Sequence, residues 1–99
     1  MAKVNTILQT EEVDRWLSRL KDRKGRSIID ARIAAAETGN FGDCWPVGEG
    51  VSEMRIHFGP GYRVYFTQQG SVIYVLLCGG TKATHRKDIA RAKEMAKDL

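Results

Sequence analysis

Apolar and polar positions along the chain change period several times, and each change marks an element. Residues 3–9, KVNTILQ, read as a short strand. Val13, Trp16, Leu17 and Leu20 then recur at spacings of three and four, the stripe of an amphipathic helix. Thr10 stands where it can cap that helix, and Glu11 and Glu12 suit its positive end. Lys21 to Gly25 reads as a polar break. A second helix follows, with Ile28, Ile29, Ile33 and Ala36 inward and Gly39 placed to end it. The two helices together suggest a helical hairpin. Asn40 to Gly50, carrying Gly42, Gly48 and Pro46, reads as a loop. Trp45 within it is either a core plug, the commoner fate of Trp in a small domain, or a ligand-stacking group.

The period then falls to two. Glu53 to Phe58 sets Met54, Ile56 and Phe58 against Glu53, Arg55 and His57. Gly59-Pro60-Gly61 is a tight turn. Tyr62 to Thr67 alternates again, Tyr62, Val64 and Phe66 against Arg63, Tyr65 and Thr67. Gln68 to Ser71 makes a second turn. Val72 to Cys78 is apolar on both faces, as an interior strand should be, and Gly79-Gly80 is expected to end it. Thr84 to Leu99 reads as a last helix with Ile89, Ala92, Ala96 and Leu99 inward. The expected order is β-α-α-β-β-β-α, an α+β fold. An antiparallel meander carries all its helices on one face.

Ninety-nine residues suit one domain, 1–99, with little room for an enclosed cavity, so an active surface should be an open face or shallow groove. The longest apolar run is far too short to span a bilayer, and the first residues lack a secretory core. Cys44 and Cys78 match no zinc spacing; a disulfide or two free thiols both fit, and with no export signal free thiols in a cytoplasmic protein are expected.

Charge changes the picture further. From Met54 to Lys87 the chain runs 34 residues without an Asp or Glu. Residues 1–53 carry 8 Lys/Arg against 9 Asp/Glu, whereas residues 54–99 carry 8 against 3, so the whole +4 excess lies in the second half. A sheet with cations, imidazole and tyrosine but no carboxylate suits phosphate and suits Mg²⁺ poorly. If both apolar sets face the helices, Arg55, His57, Arg63 and Tyr65 share the opposite face, with Lys82 near its end beside a Gly-Gly turn open to a ligand. RNA self-cleavage needs such groups: a base for the 2′-hydroxyl proton, cations for the phosphorane and an acid for the departing 5′ oxygen. No metal or cofactor is required. Each residue also has a plain structural reading. Arg63 can guard an exposed strand, Arg55 can belong to a solvated face, and His57 can be a surface histidine. Tyr65 can pack across strands, and Lys82 can be a turn lysine. Capping accounts for His85 and Asp88, and Lys93 and Lys97 suit a solvated helix face.

The segments VGEGVSEMRIHFGPGYRVYF and VLLCGGTKATHRKDIARAKEMA resemble the RelE/ParE superfamily of bacterial toxins, closest to the HigB-like addiction module killer group. The similarity also takes in WLSRLKDRKGRSIIDARIAAAETGNFGD and so covers nearly the whole chain. It implies a RelE-like, microbial RNase-type fold. It also implies a toxin of a type II toxin–antitoxin module that cleaves mRNA on the ribosome without metal. By that resemblance Arg63, His57, Lys82 and Arg55 are the candidate catalytic residues; Tyr65, whose phenol can stack on a base, and His85, Arg86 and Lys87 of the acid-free stretch are the candidate RNA-binding ones. The family's C-terminal catalytic tyrosine has no clear counterpart; Asp88 stands nearby, Thr81 replaces a usual acid and His85 a usual Gln. The implied partners are a small helix-turn-helix antitoxin, the ribosome and mRNA, with DNA reached only through the antitoxin and no membrane. Two other readings share the fold: a ParE-like inhibitor that binds DNA gyrase, and an inactive toxin-derived binding module.

Overall fold

A computed structural model describes residues 2–99. Its elements in chain order are β1 (Thr6–Gln9), α1 (Glu11–Arg19), α2 (Arg23–Glu37), β2 (Cys44–Gly48), β3 (Val51–Ile56), β4 (Tyr62–Gln68), β5 (Ile73–Thr81), a short 3-10 turn (Lys82–Thr84) and α3 (His85–Lys97). The strands form one mixed sheet in the order β1-β5-β4-β3-β2. β1 runs parallel to β5, and the other pairs are antiparallel. The α+β class and the meander of β3, β4 and β5 are as expected.

The segment read as a loop, Asn40 to Gly50, contains the extra strand β2. Proline and glycine hid it. Pro46 sits on the sheet's outer edge, where its missing N–H breaks no ladder, and the register slips between Pro46 and Gly48. The polar break also proves shorter than expected: α2 begins at Arg23, capped by Asp22, whose Oδ1 accepts from the Gly25 N–H at 2.9 Å. Gly25 is therefore inside the helix. A Cβ there would come within 2.6 Å of the Tyr62 ring, and the Tyr62 hydroxyl donates to Asp22 Oδ2 at 2.8 Å. The glycine lets β4 reach the helix start. These hydrogen bonds, Gly25 first and then Tyr62, hold Asp22 below the ordinary carboxylate range.

The expectation that all helices share one face is overturned. α1 and α2 cover one face through Val13, Leu17, Ile29, Ile33 and Ala36, packed on Met54, Ile56, Val64, Phe66 and Leu76. α3 lies on the other face, where Ala92, Ile89 and Met95 meet Val51, Tyr65, Val75, Leu77 and Cys78. Alternation lets β5 serve both layers, with Val75 on one side and Leu76 on the other, and its register with β4 shifts between Tyr65 and Phe66, which turns Leu77 and Cys78 to the same side. Thr10 secures the bulge: its hydroxyl donates to the Leu77 carbonyl at 2.7 Å and accepts from the Val13 N–H, so one side chain caps α1 and satisfies β5. The glycines Gly79 and Gly80 do not end β5, which runs on to Thr81. A Cβ on Gly79 would overlap the Trp16 indole, and one on Gly80 would overlap the Asp88 carboxylate. What approaches the backbone there is the protein's own side chains, from both faces. Cys44 and Cys78 are free thiols packed on opposite faces of the sheet. Among the described residues no helix is long and apolar enough to cross a membrane.

Candidate functional site

Strand pairing lays the candidate side chains out in rows. Trp45, Glu53, Tyr65 and Cys78 are successive partners across β2, β3, β4 and β5. The next row along the same face is Arg55, Arg63 and Gly80, with the Arg55 N–H donating to the Asp43 carbonyl at 2.9 Å. Alternation thus places Arg55 and Arg63 side by side, but on the face that α3 packs against, towards the end that the helix leaves uncovered.

An open groove of about 430 Å³ occupies that uncovered end. Arg55, His57, Arg63, Lys82 and His85 line it, with Gly61 and Tyr62 beside them. All four expected catalytic residues are therefore neighbours, and His85 joins them. β3 ends at Ile56, so His57 lies just beyond the strand rather than within it, and its side chain is exposed. The Gly59-Pro60-Gly61 turn keeps the groove narrow: Gly61, at a φ of 76°, lies against Lys82, whose N–H faces the Pro60 carbonyl at 3.4 Å. Arg86 and Lys87 are exposed on the first turn of α3 and do not line the groove.

Tyr65 is not available to RNA. It is fully buried under α3, and its hydroxyl donates to Glu53 Oε2 at 3.1 Å. Burial, and then the negative charge of Glu53, push its pKa well above the ordinary phenol range. No base can stack on it, so the RNA-binding role expected for this residue is withdrawn.

The same contact corrects the picture of a carboxylate-free face. Glu53 lies one residue before the acid-free stretch and is 1% exposed. Its Oε1 accepts from Arg55 Nε at 2.8 Å and pairs with Arg63 Nη1 at 3.1 Å. Burial pushes its pKa up, but the two arginines and Tyr65 outweigh burial and hold it below the usual range. Glu53 is an ionised anchor between two guanidiniums. Its alternation in phase with Arg55 and Arg63 was the signal for it, although it stands outside the acid-free stretch.

Asp43 is the second carboxylate missed, because its loop was not expected to meet the sheet. Its Oδ2 faces His57 Nε2 at 2.5 Å, and its Oδ1 accepts from Trp45 Nε1 at 2.6 Å. His57 first and Trp45 second hold Asp43 below the ordinary carboxylate range. Arg32 of α2 fixes this corner, donating to the carbonyls of Arg55 at 2.6 Å, Phe41 at 2.9 Å and Asp43 at 3.3 Å. Trp45 is no core plug: it is 55% exposed.

These contacts orient both imidazoles. An ionised carboxylate only accepts, so His57 carries its proton on Nε2, and Nδ1 is left as the acceptor. His85 Nδ1 faces the Lys82 carbonyl at 2.8 Å, so Nδ1 carries that proton and Nε2 is left without it in the neutral ring. Asp88 turns away from this chemistry. It accepts from Thr84 Oγ1 at 2.6 Å at the start of α3.

Two further hollows lack this combination. One of about 320 Å³ is lined by Phe41, Phe66, Tyr74 and Pro46 among others and contains no cation or imidazole. The other, by α1, has Arg15 and Arg19 but no histidine. Among the described residues no three His, Cys, Asp or Glu side chains converge as metal ligands would.

No protein-family model matches the chain. It is 47% identical over 93 residues to an uncharacterized protein of Haemophilus influenzae, an alignment that covers 94% of each of the two chains.

Proposed function

We propose that this chain, which belongs to one family with that Haemophilus influenzae protein, is the toxin of a type II toxin–antitoxin module. In this reading the sheet and helices form a RelE-like fold, and the toxin is a metal-independent, ribosome-dependent mRNA endonuclease. The observation that carries the proposal is the groove itself, where Arg55, Arg63 and Lys82 share one open surface with two imidazoles.

The chemistry would run as a transesterification. His57, its Nε2 proton held by Asp43, takes the 2′-hydroxyl proton on Nδ1. The 2′ oxygen attacks phosphorus, and the P–O5′ bond breaks as the P–O2′ bond forms. Arg63, Arg55 and Lys82 stabilise the phosphorane charge. His85, in its protonated form, gives the Nε2 proton to the leaving 5′ oxygen, the acid role that the chain's missing tyrosine leaves open. The products are a 2′,3′-cyclic phosphate and a 5′-hydroxyl. The implied partners are the ribosome with its mRNA and a small helix-turn-helix antitoxin that covers or distorts the groove.

Induced expression without the antitoxin tests this. The expected outcome is growth arrest with new mRNA 5′ ends, lost in Lys82→Ala and Arg63→Ala while the far-UV spectrum is kept. Parent-like toxicity in both variants would show that the site is wrong. A DNA damage response with filamentation and intact mRNA would move the assignment to a gyrase inhibitor. Normal growth would leave an inactive binding module.

A further inference from the structure

An exposed tryptophan tied by a hydrogen bond to the carboxylate that holds His57 is unused by the chemistry above. Trp45 belongs to the row next to Arg55 and Arg63 on the same face of the sheet. Its indole is 55% exposed, although a large aromatic ring gains from being covered. It is not loose: Nε1 donates to Asp43 Oδ1 at 2.6 Å, while the other oxygen of that carboxylate holds His57. One carboxylate therefore sets the ring and the imidazole together, and the carboxylate in turn sits in the corner fixed by Arg32. The indole N–H is spent on Asp43, which leaves the π face to offer. An aromatic face beside cations is the pattern of single-stranded nucleic-acid sites, where bases stack on rings and the backbone follows the charge.

Resting on the endonuclease reading of the groove, we propose that Trp45 is a base-stacking platform. An unpaired RNA base lies on its indole while the adjoining phosphate sits among Arg55, Arg63 and Lys82. Stacking tolerates any base and favours purines by their larger surface, so Trp45 sets how a nucleotide next to the cut is held rather than which bond-forming groups act.

The test is a titration of the full chain with a 2′-O-methyl RNA hexanucleotide, which lacks the 2′-hydroxyl and cannot be cut. The chain has two tryptophans. Trp16 is packed on Gly79 and Tyr62 but also lines the hollow by α1, so the part of the emission change that is lost in Trp45→Phe is the part that reports on Trp45. The expected result is saturable quenching, about tenfold weaker binding in Trp45→Ala as read by anisotropy of labelled RNA, and near-parental binding in Trp45→Phe. An abasic hexanucleotide should bind the parent and Trp45→Ala equally. If Lys82→Ala weakens binding and Trp45→Ala does not, the platform is refuted and the groove stands. If the parent binds no hexanucleotide, the platform is refuted, while the endonuclease reading is decided by the mRNA 5′ ends. If only a partner protein, and not RNA, changes the Trp45 emission, the ring is a protein-docking residue and the proposal is overturned.

Discussion

At the level of single residues, two kinds of position decide the structure: glycines that admit a neighbour, and one carboxylate that holds two arginines. Gly80→Ala should destabilise the protein by about 1–3 kcal/mol, because the added methyl overlaps the Asp88 carboxylate and pushes it from the Thr84 hydroxyl; chemical denaturation would measure it. Glu53→Gln removes the charge that both guanidiniums face. Breaking a buried pair costs about 3–5 kcal/mol, and partial solvation of Arg55 lowers the expectation to about 2–3 kcal/mol. For a chain of this length that is a melting-point drop on the order of 10–20 °C. The acid dependence follows from the same pair. Glu53 is held below its ordinary value of 4.5, so its contribution is full above that pH and is lost as pH falls through the lower folded value. The parent should therefore lose stability in acid below about pH 4.5, and Glu53→Gln should show a flatter profile there. Neither role was legible from glycine or glutamate alone. Each depends on what lies across the sheet, and a residue's cross-strand partner is not written in its own neighbourhood.

At the level of elements, periodicity revealed every helix and all but one strand. Val13, Leu17, Ile29 and Ile33 are buried as their spacing requires, and Thr10 caps α1 as its position suggested. β2 was missed because Pro46, Gly48 and Gly50 argue for a turn when edge and interior positions cannot be told apart. The placement of α3 was missed for a different reason. Ala92 and Ala96 indicate an inward side without saying which face of a sheet receives it. The tell was in β5, whose consecutive apolar residues need cover on both faces. Thr10 shows how closely elements depend on each other here. Thr10→Ala should cost about 1–2 kcal/mol, more than a helix cap alone usually does in a peptide, because the Leu77 carbonyl of the bulge loses its donor as well. Urea unfolding of this variant against Ser18→Ala, an exposed hydroxyl in the same helix, would isolate the difference.

At the level of the whole molecule, the charge asymmetry and the groove coincide. Arg55, Arg63 and Lys82, all from the basic second half, line the groove, and the slightly acidic first half supplies most of the helical cover plus Asp43 and Trp45. If RNA is the ligand, affinity for the uncleavable hexanucleotide should fall with salt, with a log–log slope of roughly −2 for three cations on a single strand. If the groove cleaves RNA, Asp43→Asn should lower the rate of cleavage, because His57 loses the carboxylate that orients its ring; mapping of mRNA 5′ ends would measure it. The candidate site was partly legible because alternation is a strong rule: it put Arg55 and Arg63 on one face and Lys82 near them. It could not show that this face is also a packing face, which is why Tyr65 was expected in the open and lies beneath a helix.

The order in which the strands are made gives the sheet a clock. β1 precedes every other element, yet among the described residues its one neighbour in the sheet is β5, with Thr6 set against Ile73. During synthesis β1 must wait for β5 to leave the ribosome, and the groove waits longer still, since Lys82 and His85 follow β5. Long-range pairing of this kind folds late and slowly. A protein proposed to act on ribosomes would thus be harmless to the ribosome that is making it, and an antitoxin would have an interval in which to meet a chain whose sheet has not yet closed.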